Sequence, residues 1–176
     1  MNRKFSLIAV VLACFMLSAC NDNEEAATAP AVVIHDGYNA TLAEGIQFSA
    51  KPNYPSFIKS VAGMSGNEPT GRWSEGKHVI FTFTQNLPAT FTVELDLVSA
   101  LGPNAGQLAK IRVGDWEQMF EVETKPNTQK FYVKTSKPSD SIEFIIPKPT
   151  SPKELGASDD PRKLGILFKR LSITKD

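Results

Sequence analysis

The alternation of apolar and polar side chains in residues 90–98 constrains the fold of this chain more than any other feature. Apolar residues occupy every second position from Phe91 to Leu97, and Glu94 and Asp96 lie between them. Because successive strand side chains point to opposite faces, this segment predicts a strand with one buried and one solvated face. From residue 32 onward, no stretch of ten or more residues shows helical periodicity.

Several other segments are rich in β-branched and aromatic residues and are bounded by Gly, Pro or Asn, which is typical of strands. The loop Gly114-Asp115 starts with glycine and fits a type II′ hairpin. The last segment is apolar on both faces, which predicts a strand inside a sheet. Eight to ten strands predict an all-β fold, a single jelly-roll-like β-sandwich. The predicted strands are residues 32–35, 46–49, 57–62, 78–84, 90–98, 110–113, 116–122, 131–134, 142–146 and 164–173.

A short helical turn is predicted after the prolines that end the strand at residues 142–146. Ser151 is suited to the cap, Pro152 to the first helical position, and Glu154 to the third position after the cap. Gly156 would then end the turn.

The first 20 residues resemble the signal of a bacterial lipoprotein. A positive start precedes an apolar run from Phe5 to Leu17, which is too short to span a hydrocarbon core of ~30 Å comfortably. The following Leu17-Ser18-Ala19-Cys20 resembles a lipobox. The resemblance implies that residues 1–19 are removed and that Cys20 is acylated, with palmitate-like chains. An ordinary secretory signal that is cut after Ala19 is the alternative.

Acylation would anchor the protein to a membrane, because more than one chain gives stable binding. In lipoprotein sorting, Asn21 after the cysteine favours the outer membrane, facing the periplasm, over the inner membrane. Residues 20–31 then form a polar, flexible tether, and residues 32–176 form the β-sandwich domain. Cys14 leaves with the signal, so the domain has no disulfide and depends on packing for its stability.

Charge and motifs exclude several functional classes. The precursor has 19 basic and 19 acidic residues, and loss of Arg3 and Lys4 leaves the mature chain near −2. Nucleic-acid binding is disfavoured because it requires basic patches. The chain has no zinc spacing, P-loop, H-E-x-x-H or G-x-S-x-G motif, which predicts a protein without cofactor, metal or catalytic activity. A small hydrolase is a minor alternative, since Glu94 and Asp96 would lie ~7 Å apart on one strand face.

The most suggestive ligand-binding segment is a predicted loop bounded by Gly71 and Gly76. Within it, Trp73 can stack on a sugar ring while Arg72 binds its hydroxyls or an attached phosphate. Two tyrosines in the loop-rich N-terminal sequence, Tyr38 and Tyr54, are predicted to complete the groove. In the alternative interpretation, Trp73 fills the end of the sandwich core and Arg72 pairs with an acidic neighbour, Glu68 or Glu75.

Acidic and basic residues immediately before the last strand have two interpretations. Asp160 and Arg162 either form a salt bridge that braces the candidate groove, or Asp159 and Asp160 contribute oxygen ligands to a calcium ion. There is no EF-hand-like run, so the salt bridge is favoured.

Several short motifs together resemble one family. Their order and spacing resemble the β-sandwich domain at the C-terminus of bacterial phosphoglycerol-transferase-like and glycosyltransferase-like membrane proteins. The resemblance extends over about residues 65–175 and is most specific in the last motif. The motifs are Gly71-Arg72-Trp73-Ser74, Leu87-Pro88, Gly102-Pro103-Asn104, Val113-Gly114, Ile145-Ile146-Pro147 with Ser151-Pro152, and Asp160-Pro161-Arg162-Lys163-Leu164-Gly165-Ile166.

The resemblance implies a role without catalysis, because the chain is too short to contain such an enzyme's catalytic domain beside the sandwich. We therefore expect an accessory or binding module for an envelope glycan or for a glycan-modifying membrane enzyme. The alternative is a structural or assembly lipoprotein that binds another envelope protein through a sheet edge or an exposed loop.

Overall fold

The structure, a computed structural model, describes residues 30–49 and 53–175. The signal, Cys20 and the tether as far as residue 29 lie outside the described residues, so their assignments stay predictions. Within the described ranges, no helix is long and apolar enough to cross a membrane.

Eleven strands and one 3-10 helical turn (Gly102–Asn104) make up the described fold. The all-β prediction is therefore confirmed, with slightly more strands than expected. The strands are β1 (Val32–Val33), β2 (Ile46–Gln47), β3 (Ile58–Ala62), β4 (Arg72–Glu75), β5 (His78–Phe83), β6 (Thr90–Ala100), β7 (Leu108–Val113), β8 (Trp116–Glu121), β9 (Asn127–Lys134), β10 (Ser141–Ile145) and β11 (Leu164–Lys175).

The strands form two antiparallel sheets that pack face to face as a β-sandwich. A six-stranded sheet has the spatial order β1-β3-β5-β10-β7-β8, and a five-stranded sheet has the order β2-β11-β6-β9, with β4 also paired to β11. β11 thus has neighbours on both sides, which confirms its predicted place inside a sheet. The chain changes sheet at every connection between consecutive strands except the one between β7 and β8.

The core lies between the sheets and is rich in phenylalanine. Phe91 and Leu95 of β6 are completely buried, as the alternation predicts. Phe144 lies at the centre of an aromatic cluster, with its ring centroid 5.3 Å from that of Phe168 and 6.3 Å from that of Phe81. Edge-to-face pairs of this kind stabilise a core by about 0.5–1.5 kcal/mol each beyond their area burial.

Local turn chemistry follows the sequence closely. Gly114 has φ of +56° and Asp115 is not at positive φ, as a type II′ turn requires. The predicted turn after residue 150 has a reciprocal capping box: the Glu154 amide donates to Ser151 Oγ over 3.1 Å, and the Ser151 amide donates to Glu154 Oε2 over 3.2 Å. Gly156, at φ +67°, follows it.

The prediction of a loop between Gly71 and Gly76 is wrong, because residues 72–75 form β4. β4 pairs with β11, and the Ser74 hydroxyl accepts a hydrogen bond of 2.9 Å from the Ile166 amide. Gly71 permits this pairing, since a Cβ there would collide with the carbonyl oxygen of Phe168. Strand formation here depends on a partner more than 90 residues away, which the local sequence does not indicate.

Candidate functional site

An open groove of about 480 Å³ lies at one edge of the sandwich, beside β1. We call it the arginine groove. Its walls combine apolar side chains from β1 and β3 with polar groups from three neighbouring loops and from β4. It is lined by residues 32–36, Asn53, Tyr54, Val61, residues 64–66 and Arg72.

A buried cation over an aromatic ring forms one wall of the arginine groove. Arg72 is only 6% exposed, and its Cζ lies 4.5 Å from the centroid of the Tyr54 ring. This distance fits a cation–π contact, which is stronger where water is excluded. Burial raises the pKa of the Tyr54 phenol, although the nearby Arg72 charge opposes that increase. The phenol therefore remains protonated and can both donate and accept a hydrogen bond at neutral pH.

The aromatic core supports Tyr54 from behind. Its ring centroid lies 6.4 Å from that of Phe48 and 6.5 Å from that of Phe81. Both neighbours are almost completely buried, so the ring has little freedom to tilt. This wall of the groove is therefore an extension of the hydrophobic core.

A hairpin between β3 and β4 carries Arg72 from one sheet to the other. The Ser65 amide donates to the carbonyl oxygen of Trp73 over 2.9 Å, and the Trp73 amide donates back to Ser65 Oγ over 3.1 Å. On its other side, β4 places Arg72 opposite Phe168 of β11. Because Phe168 belongs to the core, this register directs Arg72 towards the space between the sheets.

Trp73 points away from the arginine groove. Adjacent strand residues have side chains on opposite faces, so β4 separates Trp73 from Arg72. Trp73 is half-buried opposite Leu167 and does not line the groove. Of these two residues, Arg72 rather than Trp73 is the buried one that faces the core.

Asp160 and Arg162 do form a salt bridge, and it reaches the hairpin that carries Arg72. Arg162 Nη2 lies 2.6 Å from Asp160 Oδ2 and 3.9 Å from Oε1 of Glu68, which is in the hairpin turn. The hydrogen bond from Arg162 lowers the pKa of the Asp160 carboxyl, and the same contact raises the pKa of Arg162. These residues brace the hairpin from outside and do not line the groove.

The calcium interpretation of the Asp159-Asp160 segment gains no support from the geometry. Across residues 30–49 and 53–175, no three His, Cys, Asp or Glu side chains converge as metal ligands would. Both Asp160 oxygens already accept hydrogen bonds from Arg162 Nε at 3.0 Å.

Tyr38 lies beside the arginine groove and contributes through its backbone. Its amide donates to the Tyr54 carbonyl oxygen over 3.1 Å, and its own carbonyl oxygen accepts from the Ser56 amide over 2.8 Å. Its hydroxyl accepts a hydrogen bond of 3.4 Å from the Gln47 amide. Of the two predicted tyrosines, only Tyr54 lines the groove, and Tyr38 holds the segment that presents it.

Sequence reasoning missed several lining residues. Asp36 and Asn53 are exposed at the rim, where the Asn53 side-chain amide donates to the Asp36 carbonyl oxygen over 3.4 Å. Val32, Val33 and Met64 supply apolar surface. None of them belongs to a motif, and they meet only because β1 pairs with β3.

The acidic pair on β6 is unsuited to glycoside hydrolysis. Arg170 contacts both carboxylates, with Nε 2.8 Å from Asp96 Oδ2 and Nη2 3.2 Å from Glu94 Oε2. A hydrogen bond from Lys130 lowers the Glu94 pKa. Burial opposes the same change at Asp96, but hydrogen bonds from Thr128 and Arg170 outweigh it and lower that pKa too. A glycosidase acid needs a raised pKa, and neither group has one.

The arginine groove has the chemistry to hold a sugar that carries an anionic group. Apolar walls suit the C–H faces of a pyranose ring, and a guanidinium binds phosphate or carboxylate through paired N–H donors. Asp36 at the rim opposes an anion, so the field at the groove depends on the balance between Asp36 and Arg72.

Sequence comparisons connect the chain with a known domain. The profile of a family described as "Domain of unknown function (DUF7024)" matches residues 33–175. Proteins named "Phosphoglycerol transferase I" from Escherichia coli O139:H28 (strain E24377A / ETEC) and Shigella boydii serotype 18 (strain CDC 3083-94 / BS512) are 32% identical to it over 127 residues. The match covers 69% of this chain, but this chain spans only 16% of the length of those relatives.

Structural comparison identifies the fold. Two variants of a family 29 carbohydrate-binding module match with TM-scores of 0.50 and 0.51, at 14% and 12% sequence identity. Each match covers 74% of this chain and 89% of the module. The predicted β-sandwich and the resemblance to a region of phosphoglycerol transferases are both confirmed.

Proposed function

The chain belongs to the DUF7024 family, and from this premise we propose that it is a glycan-binding module without catalytic activity of its own. Its β-sandwich is shared with carbohydrate-binding modules, and its relatives contain the same domain as a small part of a much longer enzyme. A domain that accompanies an enzyme in its relatives is suited to holding that enzyme's substrate.

The contact between Arg72 and Tyr54 carries this proposal. Arg72 Cζ lies 4.5 Å from the Tyr54 ring centroid, in an open groove with both apolar and polar walls. A cation on an aromatic surface recognises an anion attached to an apolar body better than either group alone. The relatives are named for phosphoglycerol transfer, so we propose a glycan with phosphoglycerol substituents as the ligand.

Calorimetric titration of the full chain tests the proposal. We expect binding of a phosphoglycerol-substituted glucan and weaker binding of glycerol 1-phosphate alone. Arg72→Met keeps most of the side-chain volume but removes the charge, and should weaken both interactions about tenfold or more, because hydrogen bonds to charged groups contribute ~1.5–3 kcal/mol. Arg72→Lys should weaken them less, since it keeps the charge but loses the planar fork.

An exposed residue supplies a control that does not disturb the core. Asp36→Asn removes the opposing rim charge and should strengthen glycerol 1-phosphate binding, whereas Gln118→Ala, on β8, should change nothing. Thermal unfolding of each variant identifies any loss of folded protein. If Arg72→Met stays folded and binds glycerol 1-phosphate like the parent, the arginine groove is not the anion site.

Binding of a protein partner through a sheet edge has less support. Edge strands β1 and β2 have only two residues each, and edge strand β9 carries Lys130 and Lys134, whereas edge strand β8 is six residues long and carries Glu117 and Glu121. Short strands and edge lysines both oppose the addition of another strand.

We also propose that Cys20 anchors the module by its acyl chains to the periplasmic face of the outer membrane, near a glycan-modifying enzyme. The support is the lipobox-like sequence and Asn21. Metabolic labelling with a fatty acid should mark the parent but not Cys20→Ser, and membrane fractionation should recover the parent with the outer membrane. Labelled Cys20→Ser protein would contradict the anchor, without affecting the groove.

A further inference from the structure

We propose that a second groove binds an uncharged sugar unit of the same glycan whose anionic substituent occupies the arginine groove; this inference rests on the proposed function. The second groove has a volume of about 340 Å³ and is lined by Leu42, Ser56, Phe57 and residues 83–87. We call it the phenylalanine groove.

Two parallel aromatic rings give the phenylalanine groove its apolar surface. The centroids of Phe57 and Phe83 lie 6.1 Å apart, and their planes differ by only 8°. Phe83 and Leu87 are buried in the core, whereas Phe57 is partly exposed. A partly exposed ring on a rigid base is a surface on which the C–H face of a pyranose can stack.

Polar groups at the rim remain available to a ligand. The side-chain amides of Gln85 and Asn86 are exposed and make no hydrogen bond to any other described residue. The Thr84 hydroxyl, by contrast, already donates to the Phe57 carbonyl oxygen over 3.3 Å. Each amide offers both a donor and an acceptor, which matches the hydroxyl groups of a sugar.

The absence of charge determines the class of ligand. Among the described residues that line the phenylalanine groove, none is Asp, Glu, Lys, Arg or His. An anionic substituent would lose hydration there without gaining a counter-charge. An uncharged ring with several hydroxyls has no such cost, so the two grooves are complementary in the ligands they accept.

One short segment connects the two grooves. Tyr54 lines the arginine groove, and Phe57, three residues later, lines the phenylalanine groove. Tyr38 fixes the segment between them through its backbone hydrogen bonds to Tyr54 and Ser56. Phe57 precedes β3 and Val61 lies towards its other end, so by the strand rise the two grooves are roughly 13 Å apart. One oligosaccharide can span this distance.

Titration of the full chain with a neutral linear β-glucan hexasaccharide and with glycerol 1-phosphate tests this inference. The double variant Gln85→Ala/Asn86→Ala should bind the hexasaccharide about tenfold more weakly, through loss of two side-chain hydrogen-bonding groups. Its binding of glycerol 1-phosphate should not change. Arg72→Met should weaken the binding of glycerol 1-phosphate and leave the binding of the hexasaccharide unchanged. Both positions of the double variant are exposed, so it should fold normally.

Gln118→Ala, on β8, is the matched control because it also removes an exposed amide. Hexasaccharide binding by the double variant that equals that of the parent would overturn the inference. So would a parent that binds glycerol 1-phosphate through Arg72 but does not bind the hexasaccharide, and in that case the proposed function would stand. A parent that binds neither probe nor the substituted glucan would contradict both proposals.

Discussion

The arginine groove and the phenylalanine groove are supported by the same aromatic core but differ in chemistry. Phe81 of β5 supports Tyr54 in the first groove, and Phe83, two residues along the same strand, supports Phe57 in the second. The difference comes from β4, which brings Arg72 to one end of β3 and supplies no charge to the other. The hairpin between β3 and β4 therefore gives two neighbouring grooves at one edge of the sandwich different ligand preferences.

The variant with the largest expected effect tests how far each groove depends on the supporting ring of Phe81. Phe81→Ala removes edge or tilted contacts to Phe48, Tyr54 and Phe144. Loss of a buried phenylalanine typically costs about 3–5 kcal/mol, so the free energy of unfolding, measured with denaturant, should fall by that amount. Ligand binding should weaken more at the arginine groove, where Phe81 contacts Tyr54, than at the phenylalanine groove. A cost below about 1 kcal/mol would show that the grooves do not depend on this ring.

A substitution at Gly71 should weaken ligand binding at the arginine groove only. A Cβ on Gly71 would collide with the carbonyl oxygen of Phe168, so Gly71→Ala must separate β4 from β11. We expect a loss of roughly 1–3 kcal/mol and weaker glycerol 1-phosphate binding, with hexasaccharide binding retained.

Gly66→Ala is the matched control for stability alone, since a Cβ there meets nothing within 4 Å but Gly66 itself lines the arginine groove. It should leave the free energy of unfolding unchanged. Equal stabilities of the two variants would mean that the β4–β11 pairing does not need Gly71.

The dependence of ligand affinity on ionic strength should distinguish the two grooves without any mutation. Salt screens the attraction between Arg72 and an anion, so the affinity for glycerol 1-phosphate should fall several-fold between low salt and about 0.5 M. The affinity for the neutral hexasaccharide should stay constant. Similar salt dependence for both ligands would mean that charge does not distinguish the two sites.

The smallest expected effect lies outside both grooves, at the contacts of Arg170 with Glu94 and Asp96. Both carboxyl pKa values are lowered in the folded state. Their stabilising contribution is therefore complete above the unfolded pKa values, near 4, and is lost as the pH falls through the folded values. Arg170→Met should cost less than about 1 kcal/mol at pH 7 and less at pH 3, with ligand binding unchanged. A larger cost of Arg170→Met at pH 3 than at pH 7 would contradict this prediction.

Much of the fold could be predicted because the signals are local. The alternation around Leu95, the Gly114-Asp115 turn and the Ser151 cap each act within a few residues, and each is present in the structure. β9 begins at Asn127, four residues before its predicted start, because its first residues are polar and are held by pairing with β6.

The candidate site could be predicted only in part. The sequence predicts both Arg72 and Tyr54 as candidates from their chemistry, and the structure adds that the guanidinium lies over the ring. The sequence predicts that Trp73 and Arg72 contact the same ligand because they are neighbours, and a loop would allow both side chains to face it. A strand does not, since it directs adjacent side chains to opposite faces.

The sequence by itself determined the all-β class, the strand inside the sheet and the family, because periodicity and motif order can be read along the chain. Only the tertiary structure decided which polar residues meet. β4 is a strand because β11 provides hydrogen-bond partners, and Arg72 enters the core because that register places it opposite Phe168. Asp36 and Met64 join the same groove because β1 pairs with β3. Such contacts join residues distant in sequence, and backbone pairing between strands, rather than local preference, fixes them.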